Sequence, residues 1–290
     1  MTMTNNGHVY PIAKAAVRMG RRKWSAFRIC AYVGLAAGAA LSLGLTAHLN
    51  LPLTPMVLIV LLALLTLVVV MQLARLLGCQ QLVFYRHFLI VVGVISILVW
   101  LLGRPVLVYL DLAVLGIGAF VACGRIGCHM VGCCHGRPAS IGVCYRERQV
   151  TAAFPAQFLS VRLFPVQAVE SLWWVFIVTG GCYQIWSEHT PGTAVRWVIA
   201  AYCPVRFVLE FARWRPEQSY YLGLSEAQWT SLLLVMLLVI AELVGSLPFS
   251  LSHLLIVAAL VAVTIVVVGH NRLRRRPRVD ERNNLCNAAK

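Results

Sequence analysis

The stretch that decides the fold class is residues 57–77, VLIVLLALLTLVVVMQLARLL, whose only charged residue is Arg75 near the end. A helix needs about 20 mainly apolar residues to cross the hydrocarbon core of a bilayer. This run has that length and consists largely of leucine and valine. It therefore predicts a membrane-spanning helix.

The composition of the whole chain agrees with that prediction. Of its 290 residues, 60% are hydrophobic and 12% are charged, and the mean hydropathy is +0.80. These values exclude a water-soluble globular protein. The net charge of +15 comes from basic residues that lie mainly between or outside apolar runs, as loops at anionic headgroups do. We therefore expect a membrane and no nucleic acid as partner.

Seven further apolar runs lie on either side of residues 57–77. They are residues 29–47, 88–102, 106–122, 166–185, 194–211, 229–244 and 251–269. We predict an all-α fold, a polytopic transmembrane helix bundle of seven to eight spans with a polar loop between the fourth and the fifth. The first run carries Gly34 and Gly38 among alanines, which predicts close packing against another helix.

The charged ends predict the domain organisation. Residues 1–26 are expected to form a basic extramembranous arm, residues 27–271 a single membrane domain, and residues 272–290 a basic tail. The basic tail favours a cytoplasmic C-terminus. With eight spans the loop at 123–164 would also be cytoplasmic, and it would lie on the other side if one of the runs after it does not cross.

A carboxylate lies within the fourth run, at Asp111. An acid inside a membrane span is costly and usually faces protein or a water-filled cavity, which makes it a functional candidate. Because Asp111 is near the start of the run, it could instead accept hydrogen bonds from orphan amides or pair with Arg104. Both interpretations stay open from the sequence.

Polar residues recur at helical spacing in the later runs. At i, i+4, i+8 and i+11 stand Tyr202, Arg206, Glu210 and Arg213. This spacing puts them on one helix face, where Arg206 could hold phosphate and Glu210 could orient it. The alternative is an internal ion pair. Gln167 and Glu170 could face the same cavity or serve as caps.

The loop at 123–164 supports two chemical hypotheses. Its soft and borderline ligands are Cys128, His129, Cys133, Cys134 and His135, which could bind a metal or act as a thiol pair. No clean Cys-X-X-Cys pair with a mate is present. The second hypothesis rests on Arg125 among glycines, with Gly136 and Arg137 beyond, since such loops bring backbone amides and a guanidinium close to a phosphate.

Four ordered elements resemble the prolipoprotein diacylglyceryl transferase family. They are Asp111 with Gly124-Arg125-Ile126-Gly127, Gly132 and Gly136-Arg137; Pro165-X-Gln167-X-X-Glu170; Tyr202-X-X-X-Arg206-Phe-X-X-Glu210-Phe-X-Arg213; and Gly223-Leu-Ser-X-X-Gln228-Trp-X-Ser231. The match covers about 120 residues and is specific, whereas the region before Asp111 matches only weakly.

The resemblance implies a multi-pass enzyme of the bacterial inner membrane. Such an enzyme moves a diacylglyceryl group from phosphatidylglycerol to the lipobox cysteine that follows a prolipoprotein signal peptide, releases glycerol phosphate, and needs no cofactor. The implied catalytic residues are Arg125, Arg206, Glu210 and His87. The implied substrate-binding residues are Tyr202, Gly136, Arg137, Gln167, Glu170, Arg213 and Tyr32. The family places its loop on the outer side of the membrane.

The chain departs from the family pattern at several positions. Cys128 stands where the family has asparagine and Cys133 where it has glutamate, while His87 and Tyr32 only approximate the family's motifs. A divergent member is therefore expected. Two alternatives remain: a membrane metal- or thiol-binding protein that uses the Cys/His loop on the same scaffold, and a lipid-binding component without catalytic activity.

Overall fold

A computed structural model describes residues 16–19, 22–76, 84–146, 150, 154–187, 190–214 and 220–275 of the chain. Over these residues the chain forms eight α-helices. They are α1 (Ala26–His48), α2 (Leu53–Leu76), α3 (Phe84–Leu101), α4 (Val106–Val131), α5 (Val166–Ser187), α6 (Thr193–Ala212), α7 (Glu226–Leu243) and α8 (Leu251–Arg275). The predicted helical membrane fold is confirmed.

Three short antiparallel strand pairs lie before the first helix and in the connections between later helices. They are β1 (Ala16–Met19) with β2 (Arg22–Ser25), β3 (Pro138–Cys144) with β4 (Arg162–Leu163), and β5 (Tyr220–Tyr221) with β6 (Leu224–Ser225). The first pair falls within the predicted basic arm. The rest of that arm before Ala16, and the predicted tail beyond Arg275, lie outside the described residues.

Five of the described helices are long and apolar enough to cross a membrane. Their qualifying segments are Ala26–His48, Leu53–Val70, Val106–Val131, Glu226–Leu243 and Leu251–His270. The other predicted spans correspond to α3, whose apolar segment Phe88–Leu101 is shorter, and to α5 and α6, which carry buried charged residues. The chain is a multi-pass membrane protein.

The described chain forms two compact units. The first comprises Met1–Tyr202 and Phe211–Arg215, and the second comprises Cys203–Glu210 and Pro216–Lys290, each within its described residues. The first unit contains α1 to α5 and the start of α6.

Small residues let α1 and α4 approach closely in the first unit, as predicted for the first apolar run. A Cβ atom added to Gly38 would lie 2.4 Å from the Gly116 carbonyl oxygen, and one added to Gly34 would lie 2.8 Å from the Cys123 Cβ. The Ser42 hydroxyl also donates to the Leu112 carbonyl at 3.2 Å. Close backbone approach of this kind is how membrane helices gain van der Waals contact.

Asp111 joins α4 to the start of α6. Its fully buried carboxylate accepts the Gly192 amide at 2.7 Å and the Val195 amide at 2.8 Å. These amides belong to the N-terminal end of α6, where backbone N–H groups lack partners within the helix. Of the two interpretations of Asp111, the structure supports the one in which it satisfies orphan amides.

An apolar cavity of about 100 Å³ lies among α1, α2, α3 and α4 in the first unit. Its walls include Leu35, Ile59, Val91, Gly116 and Phe120. The α4 residues of this wall precede Arg125 on the same helix, by roughly 8–18 Å along its axis at about 1.5 Å per residue. An apolar cavity therefore lies close to the polar end of α4.

The second unit is organised by the ends of α7. Its start is fixed by a capping box, in which the Ser225 hydroxyl accepts the Gln228 amide and the Gln228 side chain accepts the Ser225 amide. At its other end the Glu242 Oε1 lies 2.6 Å from the His253 Nδ1 of α8. Both ends of α7 are thus held by buried polar contacts.

Candidate active site

A single buried carboxylate, that of Glu170 on α5, organises the candidate site. Its Oε2 lies 3.0 Å from the Arg125 Nε and accepts a hydrogen bond from the Arg213 Nη2. Its Oε1 accepts the Tyr202 hydroxyl at 2.7 Å. Glu170 is fully buried and both arginines are almost so. The structure therefore brings together four of the residues that the sequence singled out.

Arg125 is positioned by α4, which runs further than expected. The polar loop was predicted to begin at Cys123, but α4 continues to Val131 and ends at Gly132 in the left-handed conformation, with φ of 78°. Glycine adopts this conformation at helix C-termini without a steric penalty. Because Arg125 lies on the last turns of a rigid helix, its guanidinium is held in place rather than carried by a loop.

Arg213 reaches the same carboxylate from just beyond α6. The helix ends at Ala212, one residue before Arg213, and Tyr202 and Arg213 both contact Glu170. The backbone of Arg213 instead forms an isolated antiparallel bridge with Gly136, and the Trp214 amide donates to the His135 carbonyl at 3.2 Å. These bonds to the loop replace the continuation of the helix.

The loop after α4 is tied to its neighbours by several bonds. The Arg137 amide donates to the Ala212 carbonyl at 2.8 Å, and the Arg137 Nε donates to the Arg213 carbonyl at 3.2 Å. A Cβ added to Gly136 would lie 2.5 Å from the Phe164 carbonyl oxygen. Gly136 is thus required for close packing, and Arg137 holds the loop through its own backbone and side chain.

Gln167 fixes the turn that follows α4. Its Nε2 donates to the Cys133 carbonyl at 2.7 Å, and it lies one helical turn before Glu170 on α5. The alternative of a capping role for Gln167 and Glu170 is not what the structure shows, since one holds the turn and the other the arginines. Both belong to the site.

Arg206 and Glu210 form their own buried pair in the second unit. The Arg206 Nη1 donates to the Glu210 Oε2 one turn later on α6, and both side chains are almost fully buried. The i, i+4 spacing predicted this pairing. A guanidinium oriented by a carboxylate in this way presents its other N–H groups in a fixed plane.

Around Glu170 the arrangement has the chemistry of an anion site. Two guanidinium groups and one carboxylate carry a formal net charge of +1. Arginine is permanently charged and offers five donors in a planar fork that matches phosphate oxygens. In a buried setting such donors act more strongly than in water. The site can therefore bind an oxyanion and stabilise negative charge that develops on it.

Three cysteines form a second cluster beside this one. The Sγ atoms of Cys128, Cys133 and Cys134 all lie within 4.8 Å of one another, and the three residues are free thiols. Cys128 is buried on α4, whereas Cys133 and Cys134 are partly exposed in the turn after it. Of the five residues in the alternative metal hypothesis, these three are brought together.

The neighbouring thiols set each other's ionisation. Hydrogen bonds from Cys128 and Cys133 hold the pKa of the Cys134 thiol well below its ordinary value, and the charges of Arg125 and Arg213 act in the same direction. Hydrogen bonds with Cys128 and Cys134 raise the pKa of the Cys133 thiol, and burial adds to this effect. Of these two thiols, Cys134 therefore ionises more readily than Cys133.

The two histidines of the loop make other contacts. The His135 Nδ1 lies 2.9 Å from the Gly136 carbonyl oxygen, and its ring packs on Phe154 with centroids 5.2 Å apart. His129 accepts the Tyr145 hydroxyl on its carbonyl oxygen at 2.8 Å. Burial raises the pKa of Tyr145, so its hydroxyl stays a donor at neutral pH. These contacts give both histidines a part in shaping the loop.

The two remaining predicted site residues are Tyr32 on α1 and His87 on α3. Tyr32 is 59% exposed on α1, and its ring centroid is 6.4 Å from that of Trp24. An exposed tyrosine near the start of a membrane-spanning helix suits an anchor at the level of the lipid headgroups. His87 lies within α3, and its side chain falls outside the described residues.

One contact residue was not singled out from the sequence. The ring of Trp174 packs on Tyr202 with centroids 4.5 Å apart, and Trp174 is almost fully buried. Trp174 lies four residues after Glu170, on the same face of α5. That spacing is the one signal in the sequence that could have identified it.

Comparison with known proteins extends the family resemblance to residues before Asp111. The sequence model of the family described as prolipoprotein diacylglyceryl transferase matches residues 71–244. A phosphatidylglycerol–prolipoprotein diacylglyceryl transferase 2 of Clostridium perfringens is 32% identical over 133 residues, which are 43% of this chain and 47% of the relative. A phosphatidylglycerol–prolipoprotein diacylglyceryl transferase of Dehalococcoides mccartyi is 30% identical over 128 residues, or 43% and 46% of the two chains. The chain spans about half the length of the curated relatives it matches.

Proposed function

Since this chain belongs to the prolipoprotein diacylglyceryl transferase family, we propose that it transfers a diacylglyceryl group from phosphatidylglycerol to the cysteine thiol of a prolipoprotein. The names of its relatives support this donor and this acceptor. The observation that carries the proposal is the pair of buried guanidinium groups, of Arg125 and Arg213, on the Glu170 carboxylate.

The reaction is an alkylation of sulfur. The acceptor thiol loses its proton to a base, and the thiolate sulfur forms a bond to the terminal glyceryl carbon of the donor lipid. The bond between that carbon and the phosphate oxygen breaks, and glycerol phosphate leaves with the electron pair. The transition state gathers negative charge on the phosphate, which is where fixed cationic donors lower the barrier most.

We assign to Arg125 the role of binding the phosphate group that leaves in the reaction. Its Nε lies 3.0 Å from the Glu170 Oε2, and a guanidinium is a planar, permanently charged group whose shape matches phosphate oxygens. Arg213 shares the carboxylate and adds positive charge. Glu170 and Tyr202 act as positioning residues, because the carboxylate orients both arginines and the hydroxyl orients the carboxylate.

The remaining assignments rest on the resemblance to the family and, except for His87 and Tyr32, also on local contacts. Arg206, oriented by Glu210, is proposed as a further phosphate-binding cation. His87 is proposed as the base for the acceptor thiol. Gly136, Arg137 and Gln167 keep the loop in its place, and Tyr32 is proposed to contact the lipid.

The apolar cavity among α1 to α4 supports a lipid donor. Its walls are hydrocarbon, and it borders the helix that carries Arg125. A phospholipid needs both environments, one for an acyl chain and one for its phosphate. We further propose that the enzyme works in the bacterial inner membrane, with the loop after α4 on the outer side.

A transfer assay tests the proposal. Purified full-length protein in detergent is given phosphatidylglycerol and a lipobox peptide, and the lipidated peptide is measured by mass spectrometry. We expect Arg125→Ala to lower the rate by about 10²–10³-fold and Arg125→Lys to restore only part of it, because the lysine lacks the planar fork. Arg104→Ala, which removes an exposed arginine, is the matched control. An Arg125→Ala enzyme as active as the control would refute the assignment.

A further inference from the structure

The three cysteines beside the arginines have no part in the reaction as described so far. Cys128 comes from the last turn of α4, and Cys133 and Cys134 from the turn that follows. We propose that their sulfurs bind one zinc-type metal ion, whose open fourth position takes the acceptor thiol. The second half of this inference rests on the proposed function, whereas the metal site itself does not.

The spacing of the sulfur atoms suits a single ion. With Zn–S bonds of about 2.3 Å, tetrahedral coordination places two sulfurs roughly 3.8 Å apart. The three Sγ atoms all lie within 4.8 Å of one another. Small side-chain rotations that move each sulfur by well under one ångström therefore bring them to the separation that tetrahedral coordination requires. The end of α4 and the turn after it bring the sulfur of Cys128 together with those of the adjacent residues Cys133 and Cys134.

The backbone holds the turn in this shape. Gly132 reverses the chain after α4 with φ of 78°, and Cys134 is itself in the left-handed region with φ of 54°. Gln167 holds the Cys133 carbonyl at 2.7 Å. The ligands are therefore arranged by helix end, glycine and side-chain hydrogen bond before any ion binds, which lowers the ordering cost of binding.

The donor set indicates the kind of ion and its coordination. Thiolates favour zinc and other soft or borderline ions over magnesium or calcium. Among the described residues, the group that can share an ion contains these three cysteines and no fourth protein ligand. Three protein ligands with an open fourth position are typical of catalytic zinc. Cys133 and Cys134 are partly exposed, so an ion and a substrate thiol can reach the site.

Such an ion would supply what the transfer needs from the acceptor. A thiol that coordinates zinc is deprotonated outright, so the acceptor sulfur would be held as a thiolate, its proton having passed to the proposed base His87 or to water. Cys128 lies one helical turn after Arg125 on α4, which keeps the sulfur site near the phosphate-binding cation. The bound sulfur then bonds to the glyceryl carbon as the carbon–oxygen bond breaks. The thioether product is a weaker ligand than thiolate and leaves the fourth position open again.

Metal binding is tested without any activity measurement. Purified full-length protein is analysed for bound metal, then stripped and titrated with Zn²⁺ or with Co²⁺, whose thiolate charge-transfer absorption reports sulfur ligands. We expect one ion per chain, and a loss of affinity of at least about tenfold in each of Cys128→Ser, Cys133→Ser and Cys134→Ser. Cys182→Ser on α5 is the control and should bind as the wild type does. A wild-type protein that takes up no ion, or three variants that bind as well as the control, would overturn the site; gel filtration and thermal unfolding check that the variants are folded.

The open position is tested with peptide and with turnover. A lipobox peptide should change the Co²⁺ absorption, whereas the same peptide with serine in place of cysteine should not. An unchanged spectrum with the cysteine peptide, or full transfer activity in metal-free protein, would overturn the role in thiol binding while leaving the proposed function intact. Metal and peptide binding without any lipid transfer would instead contradict the proposed function and leave the metal site standing.

Discussion

The Arg125 Nε lies 3.0 Å from the Glu170 Oε2, and both side chains are buried at the polar end of α4. Removing charges from water is costly, and an ion pair compensates for the cost only when its geometry is good. Glu170 forms ion pairs with both Arg125 and Arg213 and also accepts a hydrogen bond from the Tyr202 hydroxyl. The positions of both guanidinium groups therefore depend on one carboxylate.

Replacing Glu170 by glutamine should affect both stability and activity. The amide keeps the shape but leaves two buried guanidinium groups without their shared negative charge, which costs about 3–5 kcal/mol when one partner of a buried pair is lost. We expect a lower unfolding temperature in detergent and a transfer rate reduced at least about 10²-fold. Glu226→Gln, in the first turn of α7, is the control. Equal behaviour of the two variants would argue against the central role of Glu170.

Two glycines near Arg125 should respond differently to alanine. A Cβ on Gly136 would meet the Phe164 carbonyl oxygen at 2.5 Å, whereas a Cβ on Gly124 meets nothing within 4 Å. We expect Gly136→Ala to cost about 1–3 kcal/mol through overpacking and to lower lipid transfer by displacing the loop. Gly124→Ala should stabilise α4 by about 0.5–1 kcal/mol. Unfolding temperatures and transfer rates of the pair check this, and a tolerated Gly136→Ala would contradict it.

Asp111 should prove structural. Asp111→Ala removes the acceptor for the Gly192 and Val195 amides, and loss of such a cap costs about 1–2 kcal/mol. Asp111→Asn keeps one acceptor oxygen and should lose less. At temperatures where the variants are folded, we expect unchanged transfer rates. A folded Asp111→Asn enzyme with a large loss of turnover would restore the catalytic interpretation of this residue.

The contact between α1 and α4 gives a test of the fold itself. A Cβ on Gly38 would lie 2.4 Å from the Gly116 carbonyl oxygen, while Gly44, six residues later on α1, has nothing within 4 Å. Gly38→Ala should push the helices apart and destabilise the protein by about 1–3 kcal/mol, and Gly44→Ala should not. Thermal unfolding in detergent distinguishes them. Two variants of equal stability would mean that α1 and α4 do not pack as described.

The sequence predicted the parts of the site that follow from local regularity. Helical spacing identified the pairing of Arg206 with Glu210, and runs of apolar residues located the helices. The spacing did not show that α6 ends at Ala212 or that the backbone of Arg213 forms a bridge with Gly136, 77 residues away in the sequence. Periodicity contains no information about a partner so distant in the chain.

The cysteines show the same limit from the other side. Five possible ligands lie within eight residues, and the sequence could not separate them. The left-handed backbone at Gly132 and Cys134 turns Cys133 and Cys134 back towards Cys128, while the histidines contact the loop itself. The choice among neighbouring residues depended on the backbone conformation of two positions, which spacing alone does not determine.

The bridge between Gly136 and Arg213 also sets an order of events during synthesis. Chains fold progressively from the N-terminus as the ribosome extends them, and α1 to α4 can associate once Val131 has emerged. The loop after α4 can complete its backbone contacts only when Arg213 and Trp214 have been synthesised, because these residues pair with Gly136 and His135. A nascent chain stopped before this point would hold inserted helices and a cavity, but no assembled site, so the protein gains its charge-binding chemistry only after most of its membrane domain has been made.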